Sequence, residues 1–306
     1  MPSFIRVFVF LALSALSLGA AAEVKVLTSI KPLQLIAAAV QDGVGTPAVL
    51  LPPGASPHHY ALRPSDVRRV ADADLVYWIG PDMEGFLGKA LQARSKPTVV
   101  VQNLPGLSLR RFAESGSSHA EEDADEHDHD HRPGSLDAHL WLSTINARVI
   151  AARMATDLAQ ADPANASRYQ ANAEAFDKRL DALDARIKAR VAGIQGRPYF
   201  VFHEAFDYFE DAYGLNHAGV FAIASEVQPG ARHVAEMRQQ LQTVGKACVF
   251  SEPPLRPRLA ETLTTGLPVK LAELDALGGF GEVSADGYER LLDTLANNLA
   301  GCLESL

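Results

Sequence analysis

Short apolar runs alternate with helical stretches twice over in this chain, and that alternation restricts its fold more than any other feature. In the first half the runs are residues 24–29, 47–51, 75–79 and 98–101, with helical stretches at 33–40 and from Arg63-Pro64-Ser65-Asp66 onward. Ser65 is the expected cap of the latter helix. In the second half a run at 198–202 ends on His203, a second follows at 219–223, a helix is expected over 229–244, and a third run occupies 248–250. Strands that alternate with helices build parallel sheets covered on both faces. Residues 50–79 and 223–250 share one order: strand, proline-containing loop, helix, strand. The halves therefore read as two related α/β lobes without a tandem sequence repeat.

Between them lies a long helix. Asp162-Pro163 supplies a cap and a first-position proline. Tyr169, Ala173, Phe176, Leu180, Leu183, Ile187 and Val191 recur at spacings of three and four, one continuous apolar stripe, until Gly193 and Gly196 end it. Some 30 residues at about 1.5 Å each span about 45 Å, longer than one small domain needs. The helix is expected to be a rigid strut between the lobes. A chain of 306 residues exceeds what a single core usually organises. The expected divisions are a first lobe over 23–145, a linking region with the long helix over 146–196, and a second lobe over 197–306.

Residues 1–22 read as an export signal: Arg6, an apolar run from Val7 to about Leu18, then Ala20-Ala21-Ala22 before Glu23. The run is too short to span a bilayer, which needs about 20 residues. No cysteine stands near the cleavage site to accept a lipid, so a soluble periplasmic protein is expected. In that compartment the two cysteines, Cys248 and Cys302, read as a disulfide that ties the C-terminus to a strand, the alternative being two buried thiols. Closing so long a loop is worth roughly 2–4 kcal/mol. The net charge of −9 argues against nucleic acid as a partner. Much of that charge is local, with eight acidic residues and no Lys or Arg between Glu114 and Asp130. The stretch of about 114–133 lacks the apolar residues to order itself and is expected to be a disordered loop.

Four of the ten histidines, His119, His127, His129 and His131, lie in that acidic stretch. Imidazoles interleaved with carboxylates hold borderline metals weakly at several sites. His58 follows the Pro-rich loop 52–57, His139 precedes the long helix, and His203 ends a strand. In open α/β sheets these are places where ligands bind, although no short motif such as H-E-x-x-H links the three. His59, His217 and His233 read as structural residues, with His59 able to support its neighbour His58.

The run Leu51-Pro52-Pro53-Gly54-Ala55-Ser56-Pro57-His58, with Tyr60 and Leu62-Arg63-Pro64-Ser65-Asp66, is similar to the first metal-ligand motif of the ZnuA-like zinc-binding proteins of ABC transporters. Asp137-Ala138-His139-Leu140-Trp141-Leu142-Ser143 resembles their second motif, and Phe202-His203-Glu204-Ala205-Phe206-Asp207-Tyr208-Phe209 their third. The acidic insert and the pair Cys248 and Cys302 match in place. The resemblance covers essentially the whole mature chain. It implies two α/β lobes joined by one long rigid helix, with Zn2+ in the cleft between them on His58, His139 and His203. Leu274-Asp275-Ala276-Leu277-Gly278 matches the region where some relatives supply an Asp ligand. Others use water, or a Glu just before the first ligand His, where this chain has Pro57. Asp275 or water is thus expected to complete the site.

Three imidazoles and one oxygen suit tetrahedral zinc, whereas manganese prefers more oxygen. The expected function is zinc capture in the periplasm and delivery to an ABC transporter permease, by a monomer with no catalytic residues. The competing readings are a zinc-dependent hydrolase, with Glu204 or His59 as base, and a manganese receptor or metal-dependent adhesin of the same fold.

Overall fold

The computed structural model describes residues 23–112, 134–221, 231–252, 258–279 and 281–306. The expected signal segment, the acidic stretch 114–133 and its four histidines lie outside the described residues.

The first half forms β1 (Val26–Thr28), α1 (Lys31–Val40), β2 (Ala48–Val49), α2 (Pro64–Asp72), β3 (Leu75–Trp78), α3 (Gly88–Gln92) and β4 (Thr98–Val100). The second forms β5 (Tyr199–Val201), α6 (Asp207–Tyr213), β6 (Gly219–Val220), α7 (Ala231–Val244), β7 (Ala247–Ser251), α8 (Arg258–Thr264) and β8 (Val269–Glu273). Between them run α4 (Thr144–Ala161) and α5 (Ala166–Val191), and α9 (Gly287–Glu304) closes the chain. Each half holds a four-stranded parallel sheet, ordered β2-β1-β3-β4 in one and β6-β5-β7-β8 in the other. The two orders are the same one shifted by four, so the halves are related in topology as expected. The inner strands β1, β3, β5 and β7 are buried at every residue, which explains their unbroken apolar runs.

The long helix is α5. Tyr169, Phe176, Leu180, Leu183, Ile187 and Val191 are its buried residues. It starts later than expected, because Pro163–Asn165 form a separate 3-10 turn and Asp162 ends α4. Ser65 is not a cap either. α2 begins at Pro64, and the Asp66 carboxylate accepts from the Arg63 backbone N–H at 3.0 Å.

Helix α5 links the halves through both of its ends. Near its start Asn172 donates to the carbonyls of Val40 and Asp42 at the end of α1. Further along, Arg179, Arg186 and Arg190 pair with Glu289, Asp293 and Glu304 on α9. Helix α9 also reaches the first half: a Cβ on Gly287 would lie 2.7 Å from Leu35 on α1. One apolar core accordingly runs through both halves, including Leu33, Phe176, Leu183, Tyr199, Leu292 and Leu299. A second, smaller cluster of Phe200, Phe221, Met237, Leu241 and Val249 serves the far face of the second sheet. Cys248 on β7 and Cys302 on α9 are joined by a disulfide. Among the described residues no helix is long and apolar enough to cross a membrane.

Candidate metal centre

Three chain segments carry His58, His139 and His203 to one point. His203 stands two residues past the C-terminal end of β5, where Phe202 still donates to the Phe250 carbonyl of β7. His58 lies on the loop between β2 and α2. That loop is pinned at its far end by Asp66, which accepts from the Tyr60 hydroxyl and the Arg63 N–H, both at 3.0 Å. His139 precedes the short turn Leu140–Leu142 that leads into α4. This turn is tied to the second half: Trp141 Nε1 donates to the Ala276 carbonyl at 2.8 Å, and the Tyr288 hydroxyl to the Trp141 carbonyl at 2.6 Å.

The ring centroids lie 5.4 Å (His58 to His139), 5.3 Å (His58 to His203) and 4.8 Å (His139 to His203) apart. One ring nitrogen from each falls within 4.8 Å of the other two. Zinc bonds of about 2.0–2.1 Å in a tetrahedron would bring such nitrogens to about 3.4 Å apart, a modest contraction. Exposures of 9%, 2% and 6% place the cluster beneath the surface, where a bound ion is shielded from bulk water.

Two of the rings are held by carboxylates. Asp137 Oδ1 accepts from the backbone N–H of His139 at 3.0 Å and lies 2.8 Å from its Nδ1. The Asp137 carbonyl in turn accepts from the Tyr208 hydroxyl of α6 at 3.0 Å. His203 Nδ1 lies 3.2 Å from Glu252 Oε1, just past β7. A carboxylate on one imidazole nitrogen fixes the ring and directs the other nitrogen to a metal. Asp137 lies two residues before His139 in its motif, whereas Glu252 is 49 residues from His203 and no local pattern points to it.

Asp275 follows β8 by two residues and is not in the histidine group. Its Oδ1 accepts from the N–H groups of Leu277 and Gly278 at 3.0 and 2.8 Å, and its Oδ2 from Gly279 at 3.0 Å. Burial pushes its carboxyl up, these three N–H groups oppose the shift, and the charge of Glu252 adds to it. His59 is exposed, its ring 6.4 Å from that of His58. Glu204 and His217 belong to a separate group with Asp207. His217 is hydrogen-bonded to Glu210, as a structural histidine would be, and also lies within reach of Glu204 and Asp207.

Residues 26–302 match the family described as ZnuA, zinc-uptake complex component A, periplasmic. The chain is 39% identical over 293 residues to the high-affinity zinc uptake system protein ZnuA of Yersinia pestis, with 92% of each chain covered. It is 35% identical over 304 residues to the protein of that description from Brucella abortus, with 91% of each covered. Among solved structures, the periplasmic zinc binding protein TroA from Treponema pallidum aligns with a TM-score of 0.76 at 19% identity, covering 92% of this chain and 99% of that one. At that identity the likeness speaks for the fold.

Proposed function

The chain belongs to the ZnuA family of periplasmic zinc-uptake components, and we propose that it captures zinc on His58, His139 and His203 and delivers it to an ABC transporter permease. The observation that carries this reading is the convergence of three buried imidazoles from three segments, two of them steered by carboxylates. Neutral nitrogen donors in a closed set favour zinc over manganese, which takes more oxygen. The family is one of solute receptors, and the cluster reads as a seat that holds cargo.

The fourth position goes to Asp275 or to water. Asp275 stands beyond the same strand ends, but its three N–H partners would have to yield part of their hold for it to reach an ion. We assign residues 1–22 to a cleaved export signal and take the exported chain as a monomer. His119, His127, His129 and His131 act as weak collectors, because carboxylates concentrate cations locally and scattered imidazoles exchange them readily. The division at 23–145, 146–196 and 197–306 is kept as the working domain map.

Competition titration against a zinc chelator tests the centre. His58→Ala, His139→Ala and His203→Ala should each weaken zinc binding by about 100-fold or more, since water must replace an imidazole. A variant that competes like the unsubstituted chain identifies a residue that is not a ligand. Asp275→Ala should cost less than any of the three. An unchanged affinity in that variant gives the fourth position to water.

A further inference from the structure

We infer that Glu204, Asp207 and His217 form a second seat for a divalent metal ion of the borderline class that zinc represents, beside the three-histidine centre and separate from it. A carboxylate oxygen from each acid and a ring nitrogen of His217 lie within 4.8 Å of one another, the same spacing that brings the three histidines together. Glu204 sits in the turn after β5 and Asp207 opens α6, so both side chains issue from one short stretch. His217 comes from the segment leading into β6. All three are half-buried, within reach of solvent ions but sheltered from much of the screening water.

The imidazole is held by a buried carboxylate. His217 Nδ1 lies 2.9 and 3.1 Å from the two carboxylate oxygens of Glu210, and Glu210 accepts from the Tyr199 hydroxyl at 2.6 Å. Glu210 is only 4% exposed, so this chain of groups is fixed. A buried carboxylate that holds an imidazole beside a donor cluster is the support metal-binding histidines use. Here it repeats the Asp137–His139 pair of the first centre.

Charge points the same way. Glu204, Asp207, Glu210 and Asp211 supply four carboxylates to this corner, against the Arg110 guanidinium, which pairs with Asp207 and Asp211. His217 ligates a metal only as a neutral imidazole, so the corner is net negative and attracts a cation. Arg110 meets Asp207 Oδ2 at 3.3 Å, while Asp207 Oδ1 stands 3.9 Å from His217 Nδ1, too long for a hydrogen bond. With two oxygens and one nitrogen the set is harder than three imidazoles, so it should hold zinc less tightly than the first centre.

Calorimetric titration with zinc chloride tests this, using the full chain with His119, His127, His129 and His131→Ala so that the acidic stretch contributes no imidazole. Two equivalents should bind, one tight and one weaker. His217→Ala and, separately, Asp207→Asn should each remove the weaker equivalent and leave the tight step unchanged, which also shows that the variants are folded. The triple variant of His58, His139 and His203→Ala should lose the tight step and keep the weaker one, so the two centres succeed or fail independently. A single equivalent in the parent chain, or a second equivalent that survives both His217→Ala and Asp207→Asn, overturns the inference and leaves the cluster as an ion-pair network.

Discussion

Asp137 shows what one residue contributes to the first centre. It is fully buried, and burial pushes its carboxyl well above the usual range, with the N–H of His139 opposing. It holds both the backbone and the ring of His139. Asp137→Asn keeps the shape and one acceptor, so zinc affinity should fall by about 10-fold, and Asp137→Ala should approach 100-fold. Competition titration reads both, and an unchanged affinity in the alanine variant would refute the positioning role. Glu84 is a different kind of buried carboxyl, outside the histidine group. It accepts from the Ser29 hydroxyl and the N–H groups of Ile79 and Gly80, yet burial raises its pKa from 4.5 to about 7. Its folded form therefore keeps a proton that the unfolded chain releases. The stabilisation is full below about 4.5 and is lost as pH rises to about 7, by about 3 kcal/mol at most at 1.36 kcal/mol per unit. Glu84→Gln should flatten the decline in unfolding free energy between pH 5 and 8, measured by denaturant titration of metal-free protein. Parallel curves for the two proteins would refute the assignment. The three histidines were legible because each sits inside an ordered motif. Asp137 stood inside a motif without a visible role, Glu210 finds its partners Tyr199 and His217 within 11 residues, and Glu252 and Glu84 acquire theirs only when segments about 50 residues apart meet.

Elements divide along a similar line. The inner strands were legible because burial on both faces demands unbroken apolar runs, and α5 because one face packs on a core along its length. Helix α4 was less so: Ala147, Ile150, Ala151, Met154, Ala155 and Leu158 do recur on its buried face, but three of the six are alanine, so the apolar stripe contrasts weakly with the alanines of the exposed face. Strand β8 was missed for the opposite reason: an edge strand, Val269–Glu273, that carries Lys270 and Glu273 and has no fully buried residue. Edge strands carry such charges because they stop further pairing. The disulfide joins one legible element to one that was not. It clamps α9 to β7 across a separation of 54 residues. Cys248→Ala with Cys302→Ala should lower the unfolding free energy by about 2–4 kcal/mol through the freed unfolded chain. Zinc affinity should stay as it was, because no histidine of the centre rests on either cysteine. A loss of zinc binding in that variant would show that α9 controls the cleft.

At the scale of the whole molecule, the histidines are not equally anchored. The turn beside His139, although it falls within 23–145, is tied to the half that carries His203, since Trp141 is bound to Ala276, Tyr288 to Trp141, and Tyr208 to Asp137. His58 alone arrives on a loop of the first sheet. Bound zinc would thus bridge the first half to a unit already assembled on the second, and the bridge adds to stability only while the ion is present. An ion that binds the folded chain alone stabilises it by about 4 kcal/mol at a free concentration 1,000 times Kd. At roughly 2–4 °C per kcal/mol for a chain of this size, the melting temperature should rise by about 10 °C or somewhat more on adding zinc to the metal-free protein. His58→Ala should melt close to the metal-free unsubstituted chain, because the ties around His139 do not involve His58. At that same free zinc concentration it should lose most of the rise. Scanning calorimetry with and without a chelator separates these outcomes. A full zinc-dependent rise in His58→Ala would mean that the ion is held by the second unit alone and that the loop of the first half plays no part in closing over it.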